Sequence, residues 1–382
     1  MAQLPIYVFA EIAKLKSSLD SQWLIDLSLG SPDSATPSPV LNELITKAQE
    51  VHNHGYPPFD GKASLREEIS KWYAGRFGVS LDSKKQVLPL IGSKEGLAHL
   101  PLAYIDPGDI SLIPNPHYPV HARGSIVAGG EVVFMPLKQS NDFLPDFSLI
   151  TTEQANKAKL MVLSYPNNPT GAIAEPAFLK QAVEFCRKYN IILCHDLAYS
   201  ELGFASHRPS SIFEFMSFDE PAIEFFTFSK TYHMAGWRIG FCLGNQEIVQ
   251  TLYALKSNMD YGVSGTIQDT AIKALQMPEN YYSELRNLYE SRALSAHKKL
   301  VDALGWNVFK PQGAMYLWVP APARYNGNGT QYSLDILQKA GVVSTPGQAF
   351  GSEGENYIRL ALVQPEEKIL EAVDRIIKFE EQ

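Results

Sequence analysis

Cysteine is scarce in this sequence: three residues in 382, Cys186, Cys194 and Cys242, each set in an apolar segment. That excludes a disulfide-stapled scaffold and predicts buried thiols in a reducing compartment, hence a cytoplasmic protein. No apolar run reaches the length of a membrane span. Met1-Ala2-Gln3-Leu4-Pro5 lacks the basic-then-apolar pattern of a signal peptide. A long basic block is missing too. With 33 Lys and Arg against 41 Asp and Glu the net charge is −8, which argues against nucleic acid as the main partner. Small anionic ligands stay open, because local charges can capture them. Internal repeats and low-complexity stretches are absent. What remains, 45% hydrophobic and 19% charged residues, is the composition of an ordinary soluble enzyme, long enough to bury a large core in two lobes.

The chain opens with an expected arm and amphipathic helix over Leu4 to Leu19, then a small strand from Ile25 to Leu29. A turn-rich loop follows, Gly30-Ser31-Pro32-Asp33-Ser34-Ala35-Thr36-Pro37. Helices are predicted over Pro39 to Val51 and Ser64 to Phe77, separated by the irregular Gly55-Tyr56-Pro57-Pro58-Phe59-Asp60-Gly61. From Val87 short apolar runs begin at Val87, Ile110, Val132, Leu160, Ile191, Glu224 and Ile239, several of them separated by helical stretches such as Pro176 to Lys188. That alternation predicts an α/β fold with a mostly parallel sheet covered by helices on both faces. The Ile239 run follows its predecessor too closely for a helical crossover and is expected to run antiparallel. Beyond Asn245 the pattern is helical to Leu304. Strands at Met315 to Val319, Val342 to Ser344 and Tyr357 to Leu362 then make a smaller α+β lobe. The expected division is an N-terminal arm with part of the small domain over 1–48, a large domain over 49–285 and a small domain over 286–382.

Chemically marked residues fall at strand ends, where ligands of an open α/β sheet sit. Phe228-Ser229-Lys230 leaves a buried strand, so Lys230 is placed to be desolvated, which lowers an amine's pKa and makes it a nucleophile toward a carbonyl. Arg238, eight residues on, supplies a fixed charge for an anion such as phosphate. Gly92-Ser93-Lys94 at a helix start offers backbone N–H groups, a hydroxyl and a cation, although the full spacing of a P-loop is missing. Tyr118 stands in a rigid turn, Asn115-Pro116-His117-Tyr118-Pro119. Asn167 and Asn168 lie between two prolines. Asp196, in His195-Asp196-Leu197-Ala198-Tyr199, is a carboxylate that needs a cationic partner when buried, and a pyridinium nitrogen would serve. His117 and His121 have the i, i+4 spacing of metal ligands, but Pro119 interrupts them and no zinc-protease glutamate accompanies them. No metal is expected.

Taken in order, these segments resemble the class I/II pyridoxal-phosphate aminotransferases of fold type I. The likeness runs from the Gly30 loop to Arg359. Gly55-Tyr56-Pro57-Pro58 and Ile91-Gly92-Ser93-Lys94-Glu95-Gly96-Leu97-Ala98-His99-Leu100 bring it nearest to LL-diaminopimelate aminotransferases and the related glutamate–pyruvate (alanine) aminotransferases. The resemblance implies pyridoxal 5′-phosphate bound covalently to Lys230, which would then shuttle the proton at the substrate Cα. It implies Asp196 at the pyridinium nitrogen, Tyr199 and Asn168 at the phenolic oxygen and Tyr118 on the ring face. Ser93, Lys94, Ser229 and Arg238 would hold the phosphate, with Tyr56 reaching the phosphate of the neighbouring subunit in a homodimer. Arg359 would clamp the substrate α-carboxylate, helped by Asn168 and the Gly30 backbone.

Departures from that pattern sit beside these positions. Ser31 stands where relatives often carry Asp or Asn, His117 where they have Gly or Ser, and His233 where Asn is usual; Gln312-Gly313-Ala314-Met315 also differs. Ser31, His117 and His233 are therefore expected to contact the substrate's side chain. The expected reaction is transamination between an amino acid, glutamate or alanine, and a 2-oxo acid. The alternative is a lyase or cyclase on the same cofactor, with His117 as a second acid or base acting at Cβ.

Overall fold

Short runs of aliphatic and aromatic residues build a central seven-stranded sheet, buried on both faces except at the edge strand Glu131–Pro136. The computed structural model describes residues 15–205 and 207–382; most of the arm and helix expected over Leu4 to Leu19 lies outside them. Strand β1 is Ile25–Asp26. The large sheet comprises β2 (Val87–Leu90), β3 (Ile110–Asn115), β4 (Glu131–Pro136), β5 (Ala158–Ser164), β6 (Ile192–Asp196), β7 (Ala222–Thr227) and β8 (Gly240–Gly244), in the order β2-β8-β7-β6-β5-β3-β4. Strands β7, β6, β5, β3 and β4 run parallel. As its short connection predicts, β8 is antiparallel, and it pairs with both β7 and β2. Every residue of β3 is buried, as strands covered on both faces require.

Amphipathic helices cover the sheet. Ala63–Phe77 buries Leu65, Ile69, Tyr73 and Phe77, one residue per turn, and ends at Gly78 with φ 71°, the left-handed cap glycine accepts most readily. The helical region after Asn245 divides into Gln246–Ser257, Gly265–Leu275 and the 26-residue Glu279–Leu304. A second core surrounds a three-stranded antiparallel sheet of β9 (Tyr316–Pro320), β12 (Tyr357–Ala361) and β11 (Thr345–Pro346). Strand β1 pairs in parallel with β10 (Val342–Val343). The single strand expected over Val342 to Ser344 is thus two short ones, because the chain passes at Ser344 from pairing with β1 to pairing with β12. No described helix is long and apolar enough to cross a membrane. All three cysteines are free and buried.

Candidate active site

The register of β8 sets the site. Gly240 pairs with Leu90 of β2 on one side and Thr227 of β7 on the other, so three chain segments emerge level with each other. After Thr227 comes a single helical turn, Phe228–Thr231, which the Thr227 side chain caps by accepting the Ser229 N–H. Phe228 is buried in the core and anchors the turn, leaving Lys230 to face a cavity of about 590 Å³. After Leu90, Gly92 (φ 76°) opens the helix Ser93–Tyr104, whose first N–H groups receive no side-chain cap. Just before Gly240, Arg238 takes left-handed backbone geometry at φ 54°. A Cβ on Gly92 would fall 2.4 Å from the Arg238 guanidinium, and one on Gly240 would fall 2.7 Å from the Ser93 nitrogen. Both glycines are required by close approach. Ser93, Lys94, Ser229 and Arg238 line this end of the cavity.

On the next wall stands Asp196, buried at the end of β6. Its Oδ1 accepts the Ala198 N–H at 3.2 Å, and its Oδ2 lies 2.9 Å from Nε2 of the buried His121. The His121 ring meets Tyr118 edge-on at 5.7 Å, while Tyr118 also lines the cavity. Tyr199 and Tyr316 share a hydrogen bond of 2.6 Å between their hydroxyls. Burial, reinforced by the Tyr316 hydroxyl beside it, holds the Tyr199 phenol well above its ordinary pKa.

The third wall carries Arg359, in the middle of β12 and buried. Its guanidinium donates to Asn168 Oδ1 and to the Ser28 carbonyl, both at 2.8 Å, and packs on the Tyr316 and Phe350 rings at 4.2 and 4.7 Å. Nε of Arg359 is buried and has no partner among the described residues, so a donor remains for a carboxylate. Lys230 Nζ donates to the Gly30 carbonyl at 2.5 Å. Desolvation is the main cause that lowers the Lys230 pKa, with the Arg359 and Arg238 charges adding to it against the opposing influence of Tyr316 and Asp196. Gly30 admits no side chain, since a Cβ there would lie 2.3 Å from the Tyr316 hydroxyl.

The aminotransferase class I and II family model matches residues 23–376. An LL-diaminopimelate aminotransferase of Moorella thermoacetica is 41% identical over 98% of this chain and 96% of its own length. That of Desulforudis audaxviator is 43% identical over 98% and 95%. The chain belongs to the class I and II aminotransferases. Among solved structures, substrate-bound BacF of Bacillus subtilis superposes on this aminotransferase with a TM-score of 0.94 at 36% identity, covering 99% of this chain and 96% of that one. A probable N-succinyldiaminopimelate aminotransferase from Thermus thermophilus superposes with 0.91 at 33%, covering 97% and 99%. The enzyme is a pyridoxal-phosphate-dependent transaminase of the α/β fold seen in these neighbours.

The aminotransferase's own residues fit that cofactor. The uncapped helix start, two hydroxyls and two cations match a phosphate. A desolvated lysine faces the same cavity as a buried carboxylate. Of the residues expected at the site, Ser93, Lys94, Tyr118, Asn168, Asp196, Tyr199, Ser229, Lys230, Arg238, Arg359 and Gly30 all line it. Ser31, His117 and His233 do not, and Tyr56, expected at the neighbouring subunit's site, lies outside the cavity of its own chain. Ser31 is exposed. His117, next to Tyr118 in sequence, points to the other side of the turn and stacks on Phe134 at 5.4 Å. Burial, helped by the nearby His121 and Arg123, lowers the His117 pKa to about 3. His233 lies outside the cavity lining, and its pKa is lowered chiefly by burial, with the Asp33 charge opposing and the Arg292 charge adding to that shift. Tyr56 is exposed and stacks on Tyr261 at 4.5 Å. Sequence reasoning missed His121 and Tyr316. The i, i+3 spacing of Tyr118 and His121 was the available signal for the first; Tyr316 has none, because its partners lie far along the chain.

Proposed function

We propose that this transaminase moves an amino group between glutamate or alanine and a 2-oxo acid, and that its longer substrate is LL-diaminopimelate, on which the relatives above are named to act. One observation carries the reading: a desolvated lysine and a buried arginine with an unused donor face one cavity, joined through a loop that bonds both. In this reading Lys230 holds the cofactor covalently and carries the proton to and from the substrate Cα. Arg359 takes the α-carboxylate, with Asn168 keeping its guanidinium in plane. Asn168 Nδ2 and Tyr199 would bond the cofactor's phenolic oxygen, Tyr118 would cover its ring, and Asp196, oriented by His121, would keep its ring nitrogen protonated. Ser93, Lys94, Ser229 and Arg238 grip the phosphate. Bound pyridoxal phosphate supplies the electron sink that makes the Cα proton removable.

Transamination is favoured over the lyase or cyclase alternative by the aminotransferase family and relatives above, and the acid–base role at Cβ considered for His117 loses its support, since that ring is buried outside the cavity. Placing the stretch around Ile25 in the small domain draws support from the pairing of β1 with β10, whereas the helix Ser38–Ala48 packs on Gly265–Leu275 and its Val40 joins the core of the large lobe. Buried free thiols support a cytoplasmic location. A homodimer sharing its sites is supported by the exposed aromatic cluster of Tyr56, Phe59 and Tyr261. The deciding measurement mixes holoenzyme with glutamate, alanine and LL-diaminopimelate separately and follows the absorbance of the lysine-bound cofactor. Conversion to the amine form is expected with diaminopimelate and with glutamate or alanine. A cofactor unchanged by diaminopimelate would refute the substrate assignment.

A further inference from the structure

The segment from Leu27 to Pro37 belongs to neither helix nor strand, yet two of its carbonyls bond two cations of the site: Ser28 receives Arg359 and Gly30 receives Lys230. A segment without a ladder needs side-chain tethers to keep carbonyls at such positions. At its start the Leu27 carbonyl accepts the Ala361 N–H at 2.7 Å, and the Ser28 carbonyl accepts the Thr345 hydroxyl at 2.7 Å. At its end the Thr36 hydroxyl donates to the His233 carbonyl at 3.0 Å, just past the lysine turn. Between Gly30 and Thr36 the tether is an ion pair. Arg292 donates from both terminal nitrogens to the two oxygens of Asp33, at 2.8 and 2.9 Å.

This pair is built as a support. Arg292 is buried on the long helix Glu279–Leu304, and the Asp33 side chain is only 21% exposed. The two-pronged geometry fixes orientation as well as distance. Arg292 Nη1 also donates to the Leu362 carbonyl at 3.1 Å, directly after the strand that carries Arg359. One guanidinium therefore ties the Gly30 loop to the Arg359 strand.

We infer that the Asp33–Arg292 pair is a positioning device for the substrate-carboxylate subsite: it sets the Ser28 and Gly30 carbonyls against Arg359 and Lys230 without touching substrate itself. The inference rests on the reading that Arg359 takes the α-carboxylate. Small displacements of such groups are costly; a shift of about 1 Å can lose on the order of a hundredfold in rate.

The test compares D33N, R292Q, the double variant D33N/R292Q and R359K as holoenzymes. Each is assayed with glutamate and diaminopimelate and titrated with 2-methylglutamate, which presents the same carboxylate but has no Cα proton to lose. Each single variant at the pair should raise KM and the 2-methylglutamate Kd roughly tenfold, with a smaller fall in kcat and with the lysine-bound cofactor absorbance retained. The double variant should be no worse than the poorer single one, since the two groups act as one unit. If R292Q does not fold, D33N still decides, because it keeps the shape of a mostly shielded side chain. Unchanged KM and Kd in D33N while R359K raises both would overturn the inference and leave the Arg359 reading standing. Unchanged values in R359K would overturn that reading. Additive effects of D33N and R292Q would overturn the claim that the two work as a pair.

Discussion

At the scale of single residues, the lysine and the misplaced histidine make opposite predictions. Lys230→Ala should abolish covalent cofactor attachment and reduce turnover by about 10³-fold or more, because nucleophile and proton carrier go together. Borohydride reduction followed by peptide mapping checks it; a labelled peptide in the variant would contradict it. His117 should register in stability and leave chemistry untouched. Its folded pKa of about 3 lies below the ordinary 6.5, so between those values the unfolded chain holds a proton that the fold refuses. The stabilising contribution is complete above about pH 6.5 and is lost as pH falls toward about 3, at up to about 1.4 kcal/mol per pH unit. Urea unfolding of the wild type and His117→Gln between pH 7 and pH 5 should diverge by that slope, with wild type falling faster. Lys230, Asp196 and Arg359 were legible in the sequence because each follows or occupies an apolar strand run, where a charge has no ordinary reason to be. His117 was misplaced for the complementary reason. Adjacency to Tyr118 says nothing about which side of a turn a ring takes, and the packing of His117 on Phe134 is decided by the placement of the next strand beside it.

At the scale of elements, the sheet strands were readable from apolar runs, and the antiparallel sense of β8 from the length of its connection alone. The breaks in the C-terminal helical region at Asn258 and Gln276 were not, since neither end carries a glycine cap to announce it. Nor was the switch of partner at Ser344. Its hydroxyl is buried against that of Ser333 at 2.7 Å, a contact no local pattern encodes. The junction of β2, β8 and β7 gives the element-level prediction. Gly92→Ala would press on the Arg238 guanidinium in a backbone region unfavourable to alanine. Cofactor affinity should fall about tenfold, measured by equilibrium dialysis, while the fold survives by shifting a flexible side chain. Gly240→Ala meets backbone atoms of Phe226 and Ser93, which cannot move aside. It should therefore lower Tm as well as cofactor affinity, and calorimetry of the apoprotein separates the two variants.

At the scale of the whole molecule, Tyr56 is expected to work across a dimer. Tyr56→Phe and Lys230→Ala subunits, mixed and allowed to exchange, should recover activity that Lys230→Ala alone lacks, beyond what the Tyr56→Phe subunits contribute in their own homodimers. Size exclusion with tagged subunits confirms the exchange, and no gain in exchanged mixtures would count against a shared site. The row that pairs Leu90, Gly240 and Thr227 has one more consequence, and it concerns time. Strand β2 reaches its place at the edge only by closing a loop over the rest of the sheet, one of the slower events available to a chain. Until it docks, the uncapped helix start that follows it is not beside Arg238. A refolding chain should therefore regain most of its tyrosine and tryptophan fluorescence before it can capture pyridoxal phosphate, and cofactor uptake becomes a clock for the arrival of the last strand.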